Sequence, residues 1–117
     1  MIRVLKSRAD RKLQSVAKNW PYVYGTVEHA EAKVMGQGKT AYWVGEVAYS
    51  YAIDGDYYSG VHHFSAKNED QAWGIVRGWK DRRVVVHYAP GRPSSSVLIM
   101  EELDRPPDTE WADQHLR

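Results

Sequence analysis

The sequence predicts a mainly β domain of the α+β class: an N-terminal helix, then β-β-β-α-β-β in a small five-stranded barrel or β-roll. Three observations predict it. Eight Tyr and five Trp stand against a single Phe, and Tyr and Trp, each with a polar tip, suit half-buried sheet faces better than a dry interior. Trp43, Val47, Tyr49, Tyr51 and Ile53 share one face of the run, while Glu46, Ser50 and two alanines share the other. That period of two marks a strand with one buried side. Asp54-Gly55 then separates two strand patterns and offers the positive φ angles that a type I′ hairpin turn demands.

The elements follow in order. Ile2, Leu5, Ala9, Leu13, Val16 and Trp20 fall three or four apart, predicting an amphipathic helix over residues 1–19 with that stripe buried. Pro21 disfavours the α conformation at Trp20 and ends it. The β-rich domain is placed at residues 20–102, with strands over 22–34, 41–53, 57–65, 83–88 and 96–101, from their β-branched and aromatic content. Gly36 and Gly38 mark a flexible loop between the first two strands. Asn68 and Gln71 have the spacing of a helix N-terminus, followed by an apolar stripe of Ala72, Ile75, Val76 and Trp79. Pro90-Gly91-Arg92-Pro93 reads as a turn between the last two strands. Residues 103–117, rich in acids, read as a loosely held tail. This order is that of a five-stranded Greek-key barrel of the oligonucleotide/oligosaccharide-binding (OB) type, with its helix between strands three and four. A half-open roll or small sandwich would give the same string.

At 117 residues the chain is sized for one core and not two. Sixteen basic against fifteen acidic residues create no global field toward nucleic acid, which is disfavoured as a partner. The charge is uneven along the chain. Arg3, Lys6, Arg8, Arg11, Lys12 and Lys18 face only Asp10 before residue 20, and the last 17 residues hold six acids against two arginines. The basic helix is a candidate for peripheral membrane contact. Cysteine is absent, which excludes a disulfide framework and thiolate chemistry. No apolar stretch approaches the ~20 residues of a membrane span. The expected location is the cytoplasm, free or peripheral to the inner membrane.

His62 and His63 are adjacent on a strand and point to opposite faces, so they cannot share a metal ion without a bulge. Ser94-Ser95-Ser96 lies in what reads as a proline-flanked turn and lacks the glycine-framed elbow of a nucleophile. Acid pairs fall at turns, a helix start and a strand end, where carboxylates serve local needs. Gly36, Gly38 and Lys39 do not have phosphate-loop spacing. No catalytic residue, metal ligand or cofactor is therefore assigned, and the protein is expected not to be an enzyme. A hydrolase built on His87 or His62 with a turn carboxylate would need those groups to converge. The aromatic hairpin supplies the candidate binding surface, drawn from Trp43, Tyr49, Tyr57 and Tyr58 with His62 and Arg82. Cross-strand tyrosines also stabilise any sheet, so the same residues have a purely structural explanation.

Three segments together resemble a known family. They are Trp20-Pro21 with Gly25-Thr26-Val27; Val47-Ala48-Tyr49-Ser50-Tyr51 with Ile53-Asp54-Gly55 and Tyr58-Ser59-Gly60; and Val84-Val85-Val86-His87-Tyr88 with Pro90, Pro93 and Val97-Leu98. Their order and spacing, over about residues 20–99, resemble the bacterial family known as domain of unknown function 3592. The resemblance implies no activity and no catalytic residue. Its members commonly carry the domain beside membrane helices, whereas here a charged amphipathic helix stands where a leading membrane segment often lies. A glycine usual before the fourth strand is replaced by Asp81-Arg82, so that loop is expected to differ in shape. The function expected is a non-enzymatic binding or interaction module that contacts a protein or envelope component through the aromatic hairpin and the loop at Gly36–Gly38. A homodimer through an edge strand or the N-terminal helix is a further expectation. The alternative is single-stranded nucleic acid or oligosaccharide binding by the same hairpin with Arg77, Lys80, Arg82 and Arg83.

Overall fold

The computed structural model describes residues 8–103. Helix α1 spans Arg8–Ala17, and the strands and helices that follow are β1 (Tyr22–Met35), β2 (Tyr42–Ile53), β3 (Asp56–Ala66), α2 (Glu69–Val76), β4 (Arg83–Ala89), β5 (Arg92–Val97) and α3 (Met100–Leu103). All neighbouring strands are antiparallel, in the order β3-β2-β1-β4-β5. Four antiparallel steps leave β5 running in the same direction as β3. The sheet curls until these two edges meet, giving a nearly closed barrel with α2 between β3 and β4, as the sequence predicts.

Local chemistry explains the hairpin. Ile53 pairs with Asp56, and the two residues between them, Asp54 and Gly55, have φ of 52° and 89°, so the type I′ expectation holds. With that register, Val47, Tyr49 and Tyr51 of β2 face inward and are buried, opposite His62, Gly60 and Tyr58 of β3. They join Val27, Val84, Val86, Val76, Trp79 and Leu98 in one core. Two tyrosines cross it: the Tyr49 hydroxyl meets Ser96 Oγ at 2.8 Å, and the Tyr51 hydroxyl donates to the Pro93 carbonyl at 2.7 Å. Both partners lie on β5, so these phenols bridge the interior from β2 to the far edge.

β1 carries a bulge between Val27 and His29. Such an insertion bends a strand and increases its twist, and it lets β1 pair with β4 over Tyr22–Thr26 and with β2 over Gly25–Met35. At the bulge, Val27 receives a hydrogen bond from the Asp81 amide (2.8 Å) and gives one to the Arg82 carbonyl (2.9 Å). Asp81 has φ of 70°, the left-handed region that glycine enters freely and Asp tolerates better than most. Asp81 thus takes a φ that glycine enters freely.

The α2 start follows the sequence. The Gln71 amide donates to Asn68 Oδ1 (2.8 Å) and Gln71 Oε1 accepts from the Lys67 amide (2.6 Å), a reciprocal cap. Ala72 and Val76 are buried on its inner face, and Trp79 is buried just beyond its end. The helix comes so close to β2 that a Cβ on Gly45 would lie 2.7 Å from Val76 Cγ1 and 3.3 Å from the Ala72 carbonyl oxygen.

Three expectations need correction. The fifth strand is Arg92–Val97, not 96–101, and Met100–Leu103 form a helical turn. Pro93 is admitted because β5 is an edge strand of the hydrogen-bonded sheet, where a missing amide is harmless; Ser94–Ser96 are therefore strand residues rather than a turn. On α1, Leu13 and Val16 are 43% and 46% exposed while Ala17 is fully buried, so the docked face is not the stripe read from spacing. Gln14 makes the dock instead, donating to the Leu98 carbonyl (3.0 Å) and accepting from the Met100 amide (2.9 Å). The predicted stripe positions Ile2 and Leu5 lie outside the described residues, as does the predicted tail from residue 104 onward.

Gly60 lies directly beneath the Tyr49–Ser96 contact, where an added Cβ would fall 2.5 Å from Tyr49 Cζ and 2.7 Å from Ser96 Oγ. Gly60→Ala is expected to lower unfolding stability by about 1–3 kcal/mol, the usual cost of overpacking a fixed core; urea denaturation within 0.5 kcal/mol of wild type, roughly the error of the method, would contradict this. Asp81→Gly is expected to do the opposite. It should raise stability by about 0.5–1 kcal/mol, the left-handed cost relieved less the extra backbone entropy of glycine, and a fall in the denaturation midpoint would show that Asp81 is unstrained.

Candidate functional site

The structure separates the residues that the sequence placed on one binding surface. Tyr49 is only 2% exposed and belongs to the core; burial pushes its phenol up to about 12, partly opposed by the Ser96 hydrogen bond. It is withdrawn from the surface because its inward register leaves no accessible ring. Tyr58 also faces inward, stacked on Tyr51 with centroids 5.6 Å apart. Tyr57 points outward and is 83% exposed. Trp43 pairs with Ala66 at the other end of the same ladder, nine positions from the Ala52–Tyr57 pair, which is about 30 Å along a strand. His62 packs edge-on against Phe64 (4.7 Å), and the Arg82 guanidinium lies 4.9 Å above the Trp79 ring. The hairpin is therefore a core element with one exposed aromatic near its tip.

The outer face of β1–β3 is a ladder of mutually engaged polar groups. Glu46 Oε2 accepts from His63 Nε2 at 2.8 Å and from Lys33 Nζ at 3.3 Å. The His63 hydrogen bond, with Lys33 adding to it against the cost of burial, holds the Glu46 carboxyl below its usual value. Ser50 donates to Glu28 at 2.6 Å. His62, on the inner face, and His63, on the outer, diverge as the strand period requires. No cluster of three metal-capable side chains occurs among the described residues.

His87 is the one buried imidazole among the described residues, 3% exposed on β4. Its Nδ1 lies 3.1 Å from the Trp20 carbonyl and its Nε2 lies 3.0 and 3.2 Å from the two Glu102 oxygens. Both nitrogens thus face acceptors, which only the doubly protonated ring can satisfy. Burial opposes that charge, but Glu102 and the Trp20 carbonyl outweigh it and raise the pKa above 6.5. The imidazolium ties α3 and the start of β1 to β4. It shares β4 with Val84 and Val86, which face the core, but points to the opposite face, whereas His62 faces the barrel side.

A concave feature of the described surface lies elsewhere, where α1 passes the seam between β3 and β5. A groove of about 550 Å³ receives Leu13 from α1, Trp20 from the turn before β1, Ser59 and Gly60 from β3, and Ala89 with Arg92 from the two sides of the β4–β5 turn; Ser94–Ser96 and Val97 complete it. Its volume falls in the range of pockets that take small ligands. Most of the exposed lining is carbon. No carboxylate of the described residues forms an ion pair with Arg92. Sequence reasoning missed this site because its residues come from four separate segments. The available signal was Arg92-Pro93 followed by three serines, which read as a turn.

Fold and groove together define a small, nearly closed β-barrel domain with a helix-flanked groove at its strand seam. The chain belongs to the family described as Domain of unknown function (DUF3592), which matches residues 23–101, in agreement with the resemblance seen in the sequence. Comparison with curated proteins gives no match, and comparison with solved structures gives none. No helix among the described residues is long and apolar enough to cross a membrane.

The His87 geometry fixes a pH dependence. The raised folded pKa means that this pair's stabilisation is fully present below about pH 6.5 and is lost as pH rises through the folded value. Thermal midpoints between about pH 5.5 and about pH 9 should therefore fall with rising pH in the wild type, and much less in Glu102→Gln. Equal slopes in the two proteins would contradict the imidazolium assignment.

Proposed function

We propose that the domain is a non-enzymatic binding module that contacts a protein or envelope component through the groove between α1 and the β3–β5 seam. The observation that carries this reading is the groove itself, a concavity of small-ligand size that joins an aromatic ring, aliphatic side chains, hydroxyls and a cation without an ion-pair partner among the described residues. Two sets of ionisable groups among the described residues are engaged internally: Glu46 with His63 and Lys33, and His87 with Glu102. The reading differs from the hairpin surface expected from the sequence because the hairpin spends Tyr49 and Tyr58 on the interior.

Strand binding on the hairpin has less support. Arg82 lies over Trp79, and the Arg83 guanidinium lies 4.0 Å above the Tyr24 ring, so two of its proposed cations already stack on the protein's own aromatics. Isotope-labelled protein titrated with short carboxylates, disaccharides and single-stranded oligonucleotides distinguishes the readings by amide shifts. Saturable shifts at Trp20, Ser59, Gly60 and residues 92–97, with every probe recovered intact, are expected. Shifts gathered around Tyr57, Arg82 and Arg83 with an oligonucleotide would favour the strand reading, and conversion of a probe would overturn the non-enzymatic one.

A further inference from the structure

From the groove chemistry we infer that its ligand is an amphipathic monocarboxylate, an apolar body carrying one carboxylate, with Arg92 as the anion anchor; the inference rests on the groove being the binding site. Four features lead there. The walls contributed by Leu13, Trp20, Ala89 and Val97 are carbon surface that water covers at a cost and an apolar ligand body covers with gain. The lining contains one cation and no acid, which selects against cationic ligands and sets the complementary charge at minus one. A phosphate dianion would leave part of its charge without a partner in a mostly carbon groove, and such burial is costly. A carboxylate matches the planar fork of a guanidinium with two parallel hydrogen bonds.

The position of Arg92 supports the same conclusion. It is the first residue of β5, directly after Gly91 at φ 79°, in a tight turn whose ladder pairs Ala89 with Arg92. The turn holds the arginine backbone at one end of the groove without any ion pair from the described residues to hold the side chain away from a ligand. Serine hydroxyls along β5 and Ser59 on β3 can donate to the second carboxylate edge or to a carbonyl of the body. The opposite wall is kept in place by Gln14 on the backbone of residues 98 and 100 and by His87 on the Trp20 carbonyl, so the site is largely assembled before a ligand arrives, and little ordering cost is left for binding.

Octanoate and 1-octanol, which share an apolar body and differ in charge, test the assignment by calorimetry and by Trp20 indole shifts. Octanoate is expected to bind at least about tenfold more tightly than octanol, the worth of one charge-assisted contact. Arg92→Gln should erase that ratio by weakening octanoate far more than octanol, Arg92→Lys should keep part of it, and added salt should weaken octanoate far more than octanol. Because Arg92 is exposed on a turn, its variants should keep the wild-type melting temperature, which verifies that they fold. Equal affinities for the two probes, or no effect of Arg92→Gln, would overturn the anion assignment while leaving the groove as a binding site. Failure of both probes to bind the wild type, with shifts from the other probe classes also absent at the groove, would overturn the groove reading and this inference together.

Discussion

The structure depends on two phenol hydroxyls crossing the barrel. Tyr49 and Tyr51 leave β2 on its inner face and end on Ser96 and the Pro93 carbonyl of β5, so the last strand is fixed by the interior as well as by its short pairing with β4. An aliphatic side chain at either position could fill volume but could not satisfy the part-buried carbonyl or hydroxyl on the far wall. The arrangement constrains its neighbours. Gly60 must lack a side chain because the Tyr49 ring passes over it, and the Asp54-Gly55 turn must hold a register that puts both tyrosines inside.

The groove is a consequence of that closure. β3 and β5 are brought together at Gly60 and Ser96 by side-chain contact rather than by a continuous ladder, and a seam joined in this way leaves a furrow on its outer side. The helix α1 turns the furrow into a groove. Its attachment is polar: the Gln14 amide reads the chain at Leu98 and Met100, and His87 holds the Trp20 carbonyl on one side and Glu102 on the other. Polar anchoring leaves Leu13 uncommitted to the core and available to the groove. A helix docked by its apolar stripe would have buried that residue.

Much of the fold was legible because its signals are local. The type I′ turn, the Asn68–Gln71 cap and the alternation along β2 are each set by residues within a few positions of one another, and each forms as expected. β5 was not legible. A strand paired with β4 at three positions and partly exposed on both faces needs no hydrophobic alternation, so Pro93 and three serines read as a turn. The α1 face was misread for a related reason. Spacing identifies an apolar stripe but not whether a glutamine beside it will find two backbone partners some 85 residues away.

By itself the sequence determined the class of the fold, the order of its strands and the main hairpin, since these follow from backbone preferences and side-chain periodicity over short spans, while three segments carried the resemblance to the family. Tertiary structure alone decided which aromatics are core and which are surface, and where a ligand could lie. Tyr49 and Tyr57 are similar in sequence context and opposite in exposure because the barrel has an inside. Arg92, Trp20 and Ser59 are distant in the chain and meet only where its two edge strands close, and no local preference encodes that meeting.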